Sequence, residues 1–392
     1  MMSSGTLQAW RRAVGAAWPW LAAPAVVWWR ARGSRSLDEE PETADADAPL
    51  VSVIVPARNE APNIARCVRS ILDATYPRLE LVVVDDQSSD DTATLARAAI
   101  GGDMRGRVTA TTPLPAGWFG KPWACATGAA AARGDVLLFA DADTTHAPDL
   151  VTRAAHALRR RGGGLLSVVG RQELGTFWER LVQPQVLAVL LGRYGGTERV
   201  NRSRRVVDKI ANGQCLLVDR ATYDATGGHG AVRGAVAEDL RLAQHVFASG
   251  FPVHLVLGER QLATRMYTSL GALVRGWRKN VYAGGRDAMP LGRVGRALFP
   301  LLLLLPPLMS LLPAIALVLI PTGGIPPEVA RAAVVAQGAS LAFWVRAYRR
   351  GGVSAAYALL APLGAAVLLA IVVQAIARGR RVEWRGREYV SA

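Results

Sequence analysis

Asp141-Ala142-Asp143 sets two carboxylates one residue apart, directly after the apolar run Val136–Ala140. Two carboxylates at a strand end can share a hard divalent cation, directly or through water, and such a cation can hold phosphate oxygens. A second acidic pair, Asp85-Asp86, ends another apolar run at 81–84, and Ser88, Ser89, Asp90 and Asp91 follow it. Asp90 or Asp91 is expected to cap a helix over 92–99. That role does not account for Asp85 and Asp86, which stand where a strand edge would read a ribose or a base. A third pair, Glu238-Asp239, precedes Leu240, Leu242, Ala243 and Val246, the spacing of an amphipathic helix. On spacing alone these two acids read as helix-capping groups. Lys121 lies in a Gly- and Trp-rich segment just before the Asp141 strand, and only three of the 46 basic residues are lysine. A phosphate contact and an ordinary surface position are both open to it.

These residues need a scaffold that brings strand ends together. The runs at 51–55 and 81–84 are short and β-branched, ending at Pro56 and at Asp85, and 136–140 ends at Asp141. Between the first two, Ile64, Val68, Ile71 and Leu72 recur at helical spacing. Strand, helix, strand with polar residues just past each strand predicts an α/β domain. Its sheet is mostly parallel, with the site at the carboxyl edge, where strand ends and helix N-termini leave backbone groups free. Asn212-Gly213-Gln214 and Gly227-Gly228-His229 read as turns, and His229 reads as a satisfied loop histidine rather than a second base.

The chain has 392 residues, 51% of them hydrophobic, which excludes a disordered chain and suggests more than one domain. Residues 298–320 and 353–377 carry no charge. Each is long enough to cross a hydrocarbon core of about 30 Å as a helix, so a wholly soluble protein is excluded as the leading reading. Pro306, Pro307 and Pro313 are able to break the first run into a re-entrant hairpin, and a weaker span at 329–345 contains Arg331. Residues 13–29 are apolar and end at Trp28-Trp29-Arg30, where a cleavable leader would need small residues, so they read as an uncleaved anchor. Pro19 and Pro24 leave an interfacial or re-entrant helix open there. The acidic segment 38–49 reads as a solvated linker. The expected plan is an anchor at 1–37, the linker at 38–49, an α/β domain at 50–297, a transmembrane region at 298–377 and a basic tail at 378–392. The net charge is +15, and Arg30, Arg32, Arg35, Arg293 and Arg296 flank apolar spans. That placement suits an anionic membrane surface rather than a nucleic acid. It sets the α/β domain on the cytoplasmic side of a multi-pass inner-membrane protein. Cys67, Cys125 and Cys215 are far apart and imply neither a disulfide framework nor a zinc site.

Taken together, Val53-Ile54-Val55-Pro56-Ala57-Arg58-Asn59-Glu60, Val82-Val83-Val84-Asp85-Asp86, Gly134 to Asp143 and Glu238-Asp239 resemble the family 2 glycosyltransferases. The resemblance spans roughly residues 50–285. Gly117-Trp118-Phe119-Gly120-Lys121-Pro122-Trp123-Ala124 and the ending Val382 to Tyr389 narrow it to membrane-bound bacterial enzymes associated with carotenoid and hopanoid pathways. The resemblance implies a GT-A fold, a nucleotide-diphosphate sugar donor, inversion at the anomeric carbon, and one sugar delivered to a lipid-like acceptor. Pro56, Arg58, Glu60, Asp85 and Asp86 would line the nucleotide pocket, with Lys121 on the diphosphate. Asp141 and Asp143 would bind Mg2+ or Mn2+, Asp143 the more directly. Asp239 would be the base beside Glu238, with Gly213 and Gln214 near the acceptor. Trp277 and Arg278 stand where many membrane relatives carry a QxxRW motif, but that motif is absent here. Trp277 is left either to stack on an acceptor or to sit at the membrane interface. The departure argues against a processive polysaccharide synthase, the first alternative; a non-catalytic membrane scaffold is the second.

Overall fold

The computed structural model describes residues 4–287, 289, 292–379, 381–384 and 387–390. Arg385 and Gly386 of the carboxyl-terminal motif therefore lie outside the described residues. The chain divides into two compact units. One is helical, built from Met1–Arg32, Leu174–Gly196 and Tyr267–Gly379. The other is α/β, built from Gly33–Glu173, Thr197–Met266 and Arg380–Ala392.

In the α/β unit the strands are β1 (Val51–Ala57), β2 (Leu79–Asp85), β3 (Gly106–Ala110), β4 (Val136–Ala140) and β5 (Thr144–His146), followed by β6 (Leu165–Val169), β7 (Arg171–Gln172), β8 (Cys215–Asp219), β9 (Val253–Leu257) and β10 (Leu262–Thr264), with a separate antiparallel pair, β11 (Arg381–Trp384) and β12 (Arg387–Val390), near the carboxyl end. The central sheet runs β3-β2-β1-β4-β8-β6-β9, while β5, β10 and β7 form a smaller one. Pairing in the central sheet is parallel except where β8 lies antiparallel to both β4 and β6. The expected α/β class with a mostly parallel sheet is the architecture found.

Strands covered on both faces read as unbroken apolar runs, and successive side chains serve opposite cores. Val53, Val55, Leu138 and Leu217 enter one cluster; Ile54, Val82, Leu137 and Leu216 enter the other. The helix Gly120–Ala131 lies close against the second face because Gly128 has no side chain. A Cβ there would stand 2.4 Å from Ile54 Cγ2. This approach fixes the helix whose second residue is Lys121.

The acidic segment expected to be a solvated linker is held down instead. Arg153, on the helix Leu150–Arg160, donates to the carbonyls of Leu37, Asp38 and Glu40 and pairs with Glu42 and Asp149. Arg160 and Arg161 reach Glu40 at 2.6 and 2.8 Å, and Arg159 pairs with Asp45. The segment's acidity is visible in the sequence, but its basic partners lie more than a hundred residues away. Arg153 is only 6% exposed. Arg153→Met is therefore expected to cost about 3 kcal/mol, because it strands the carbonyls of Leu37, Asp38 and Glu40 and takes a partner from Glu42 and Asp149. A thermal melt of the detergent-solubilised protein reads this, and an unchanged melting temperature would mean that the other arginines suffice.

The helical unit contains Ser4–Ala16, Trp18–Arg30, Phe177–Tyr194, Leu270–Asp287, Gly292–Leu319, Pro327–Arg350 and Ala361–Arg378. Two of its segments, Gly292–Thr322 and Ala355–Arg378, are long and apolar enough to cross a membrane. Leu301, Leu305, Ile315 and Val318 are exposed on the first. The hairpin that Pro306, Pro307 and Pro313 would allow does not form: Gly292–Leu319 is one continuous helix with all its prolines inside. Membrane-type helices tolerate proline when the freed backbone groups find other partners. Here Trp20 Nε1 donates to the carbonyl of Met309, the group that Pro313, four residues on, leaves without a helical N–H. The apolar amino-terminal stretch divides into two 13-residue helices, with Pro19 in the first turn of the second.

Candidate active site

At the carboxyl ends of β1 and β2 the chain turns sharply. Asn59 and Gln87 both hold left-handed backbone, at φ +53° and +54°. Such positions cost energy for residues other than glycine and gather where geometry is fixed for function. The Asn59 Oδ1 accepts from the backbone N–H of Ser89 at 2.9 Å, tying the two turns together. Arg58 reaches across them, donating to the carbonyls of Asp86 at 2.5 Å and Gln87 at 3.0 Å. Asp86 is 1% exposed and accepts from the Thr111 hydroxyl at 3.0 Å. Asp85, on the last residue of β2, carries a buried Oδ1 without a hydrogen-bond partner. These groups form a rigid, polar strand edge.

A second cluster joins β4 to the helix Glu238–Ala248. Lys121 Nζ lies 2.8 Å from Asp141 Oδ1 and 2.6 Å from Glu238 Oε1. Burial alone would lower the Lys121 ammonium, but Asp141, Glu238 and Asp239 outweigh it and hold its pKa well above the ordinary value. Asp239 accepts from the backbone N–H groups of Gly213 and Leu240, each at 2.7 Å. Burial and the neighbouring Glu238 nevertheless push its carboxyl up to about 6, against the pull of Lys121 and those two N–H groups. A carboxylate tuned to that range accepts protons near neutral pH far better than an ordinary aspartate.

The donor set also suits a hard divalent cation. Mg2+ and Mn2+ are commonly bound by one or two carboxylates, with substrate phosphate and water completing the shell. Among the described residues no group of three or more His, Cys, Asp or Glu side chains is gathered for a metal. Asp141 keeps 29% of its side chain exposed, and the Lys121 ammonium stands against three carboxylates, two of them paired with it, so the local charge favours another cation.

Residues 52–225 match the model of glycosyl transferase family 2. The chain carries a family 2 glycosyltransferase domain. It is 27% identical over 247 residues to the 4,4'-diaponeurosporenoate glycosyltransferase of Staphylococcus haemolyticus, covering 61% of this chain and 63% of that protein. It is 28% identical over 252 residues to the Staphylococcus aureus enzyme of the same name, covering 64% and 65%. The chain thus spans somewhat under two thirds of the length of these relatives. A solved mannosyltransferase from Pyrobaculum calidifontis, in complex with GDP-Man and Mn2+, aligns over 95% of this chain and 98% of its own. Its TM-score is 0.56 at 21% identity, a likeness of fold. The fold is GT-A.

The glycosyltransferase domain brings most of the sequence-predicted residues to one sheet edge. Pro56 lies within β1, and Glu60 accepts from the Asn63 side chain at 3.0 Å while its own N–H donates to the Thr92 hydroxyl. Asp143 follows Asp141 in the turn before β5, where its carbonyl accepts from Arg66 at 3.4 Å. Gln214 is buried, with its Oε1 on the side-chain amides of Asn212 and Gln172. His229 is buried against Phe139, its Nδ1 3.0 Å from the Tyr223 hydroxyl, and burial pushes its pKa down to about 4. Trp277 and Arg278 belong to the helical unit. There Trp277 is 8% exposed and donates to Gln183 at 2.8 Å, a packed core residue. Arg278 donates to Gln374 at 3.3 Å.

Sequence reasoning missed Thr111, which follows β3 and holds Asp86. The rule that picked out the other strand ends would have found it, but the partly exposed edge strand β3 gives no continuous apolar run. The need for Gly213 is also steric. A Cβ there would stand 3.0 Å from Lys121 Nζ and 3.2 Å from Asp239 Oδ2. Since a lysine tip can yield, Gly213→Ala is expected to keep the fold and lower turnover by about tenfold or more through displaced charges. Steady-state rates with a parallel thermal melt test this, and unchanged turnover would show that the cluster tolerates the shift.

Proposed function

We propose that this protein is a membrane-bound, metal-dependent, inverting glycosyltransferase. It moves one sugar from a nucleotide-diphosphate sugar to a hydroxyl or carboxyl of a lipid-like acceptor, a carotenoid, hopanoid or other lipid. The observation that carries this reading is the cluster in which Asp239, its carboxyl raised to about 6, stands beside Glu238 and the Lys121–Asp141 pair. Breaking the sugar–diphosphate bond puts negative charge on the leaving group, and inversion needs a base on the opposite face of the anomeric carbon. Pro56, Arg58, Glu60, Asp85 and Asp86 form the nucleotide edge in this reading. Asp143 and Asp141 would hold Mg2+ or Mn2+, which when bound stabilises diphosphate charge. Asp239 takes the acceptor's proton, and Gly213 fixes the carboxylate that does so.

The activity for which the Staphylococcus relatives are named supports a carotenoid-like acceptor. The exposed apolar segment Gly292–Thr322 supports a protein held at the bilayer, where such an acceptor lies. The catalytic domain would face the cytoplasm of a multi-pass inner-membrane protein. The test is nucleoside-diphosphate release by the detergent-solubilised protein across UDP-, GDP- and dTDP-sugars, with and without lipid extract. Release that rises with the extract and yields one sugar per acceptor supports the proposal. A polymeric product would make the protein a processive synthase, and no release from any donor by folded protein would sink the enzyme reading.

A further inference from the structure

One ammonium touches both halves of this site. Lys121 enters from the start of the helix Gly120–Ala131, Asp141 from the end of β4, and Glu238 from the first residue of its helix, one position before Asp239. Gly213 closes the fourth side, its N–H on Asp239 and its Cα bare toward Nζ. The chain uses arginine almost everywhere it needs a positive charge, yet a lysine stands here. A Cβ on Gly213 would already stand 3.0 Å from Nζ, a close approach that suits an ammonium, a compact charge with three donors, better than the larger planar guanidinium. Two of those donors are committed to carboxylates.

We propose that Lys121 is a positioning residue for the base: it ties Glu238 to Asp141 and so registers Asp239 against the donor side of the site. Its charge acts through Asp239 rather than on the diphosphate. The proposal rests on Asp239 being the base of a sugar transfer, as inferred above. The titratable groups facing Asp239 are Glu238 on its own helix and, across from it, Lys121 and the buried Cys125 thiol one turn further along the same helix. Removing Glu238 or Lys121 therefore disturbs the same register but moves the Asp239 carboxyl in opposite directions.

The experiment compares K121M, K121R and E238Q in the full-length detergent-solubilised protein. The Asp239 carboxyl is titrated by infrared difference spectroscopy against D239N, which needs no turnover. In K121M the carboxyl is expected to titrate about one unit higher, because a nearby opposite charge is lost. In E238Q it is expected lower, because a like charge is lost. Both variants should lower kcat by about tenfold or more while nucleoside-diphosphate affinity, read by calorimetry, changes little. K121R restores the titration but not kcat, since the charge returns without the geometry, and it covers the case in which K121M fails to fold. An unmoved Asp239 titration together with a tenfold or greater loss of nucleoside-diphosphate affinity in K121M would overturn the proposal and make Lys121 a phosphate contact. A wild type that transfers no sugar, yet shows these opposite titration shifts, would sink the transferase reading and leave the electrostatic link intact.

Discussion

Asp239→Asn is expected to lower sugar transfer by about a thousandfold while leaving donor binding in place. The substitution keeps the size of the side chain and one of the two oxygens that accept from the N–H groups of Gly213 and Leu240. It removes the one property the reaction needs, an oxygen that can take a proton. What remains is the rate from proximity and from stabilisation of the leaving diphosphate. Single-turnover kinetics on the purified variant read this directly. A variant retaining a tenth or more of the wild-type rate would mean that the proton leaves by another route.

The same group sets the pH dependence. With its carboxyl at about 6, Asp239 is a competent base above that pH and a protonated, inert acid below it. The kcat/KM of the wild type should therefore fall on the acidic side with an apparent value near 6. Stability runs the other way. A carboxyl raised above its ordinary value binds its proton more tightly in the fold than in the unfolded chain. Its contribution is full below about 4 and is lost as pH rises through about 6. At pH 8 Asp239→Asn sheds the penalty of the buried ionised carboxyl but forfeits one of its two N–H partners, so the two terms oppose each other and it should melt within a few degrees of wild type, which separates lost chemistry from lost fold.

Much of this site was legible because buried parallel strands write themselves as apolar runs, and the residues just past them are polar for a reason. Asp85, Asp86 and Asp141 follow from that rule, as do β1, β2 and β4. Asp239 did not follow from it. Helix capping accounts equally well for two acids at a helix start, and only the family pattern lifted them above it. Three kinds of information were out of reach. The place of β8, antiparallel between β4 and β6, depends on pairings far apart in the chain. The acidic segment 38–49 has the composition of a solvated linker, and only the arginines of a distant helix make it a strap. Lys121 was visible as a rare lysine, but its two carboxylate partners come from different elements. Trp277 shows the converse: position left it either to stack on an acceptor or to sit at the membrane interface, while its burial and its bond to Gln183 make it a core residue.

Removing divalent cations with EDTA is expected to abolish transfer, and Mn2+ or Mg2+ to restore it. Asp143→Ala should then lower the rate at saturating donor by about a hundredfold or more, the scale of losing a cation that stabilises a leaving diphosphate. Asp141→Asn is a different experiment, because Asp141 Oδ1 already holds the Lys121 ammonium at 2.8 Å. Losing that charge weakens any cation and also loosens Lys121 toward Glu238, so its effect should exceed that of a ligand alone. The two variants separate on metal titration. Excess Mn2+ should recover part of the Asp143→Ala loss by mass action. It should recover less of the Asp141→Asn loss, because no concentration of metal rebuilds the lysine's hold on the base helix. Equal recovery in both would mean that Asp141 serves the metal only. Full activity in EDTA would remove the metal from the reaction.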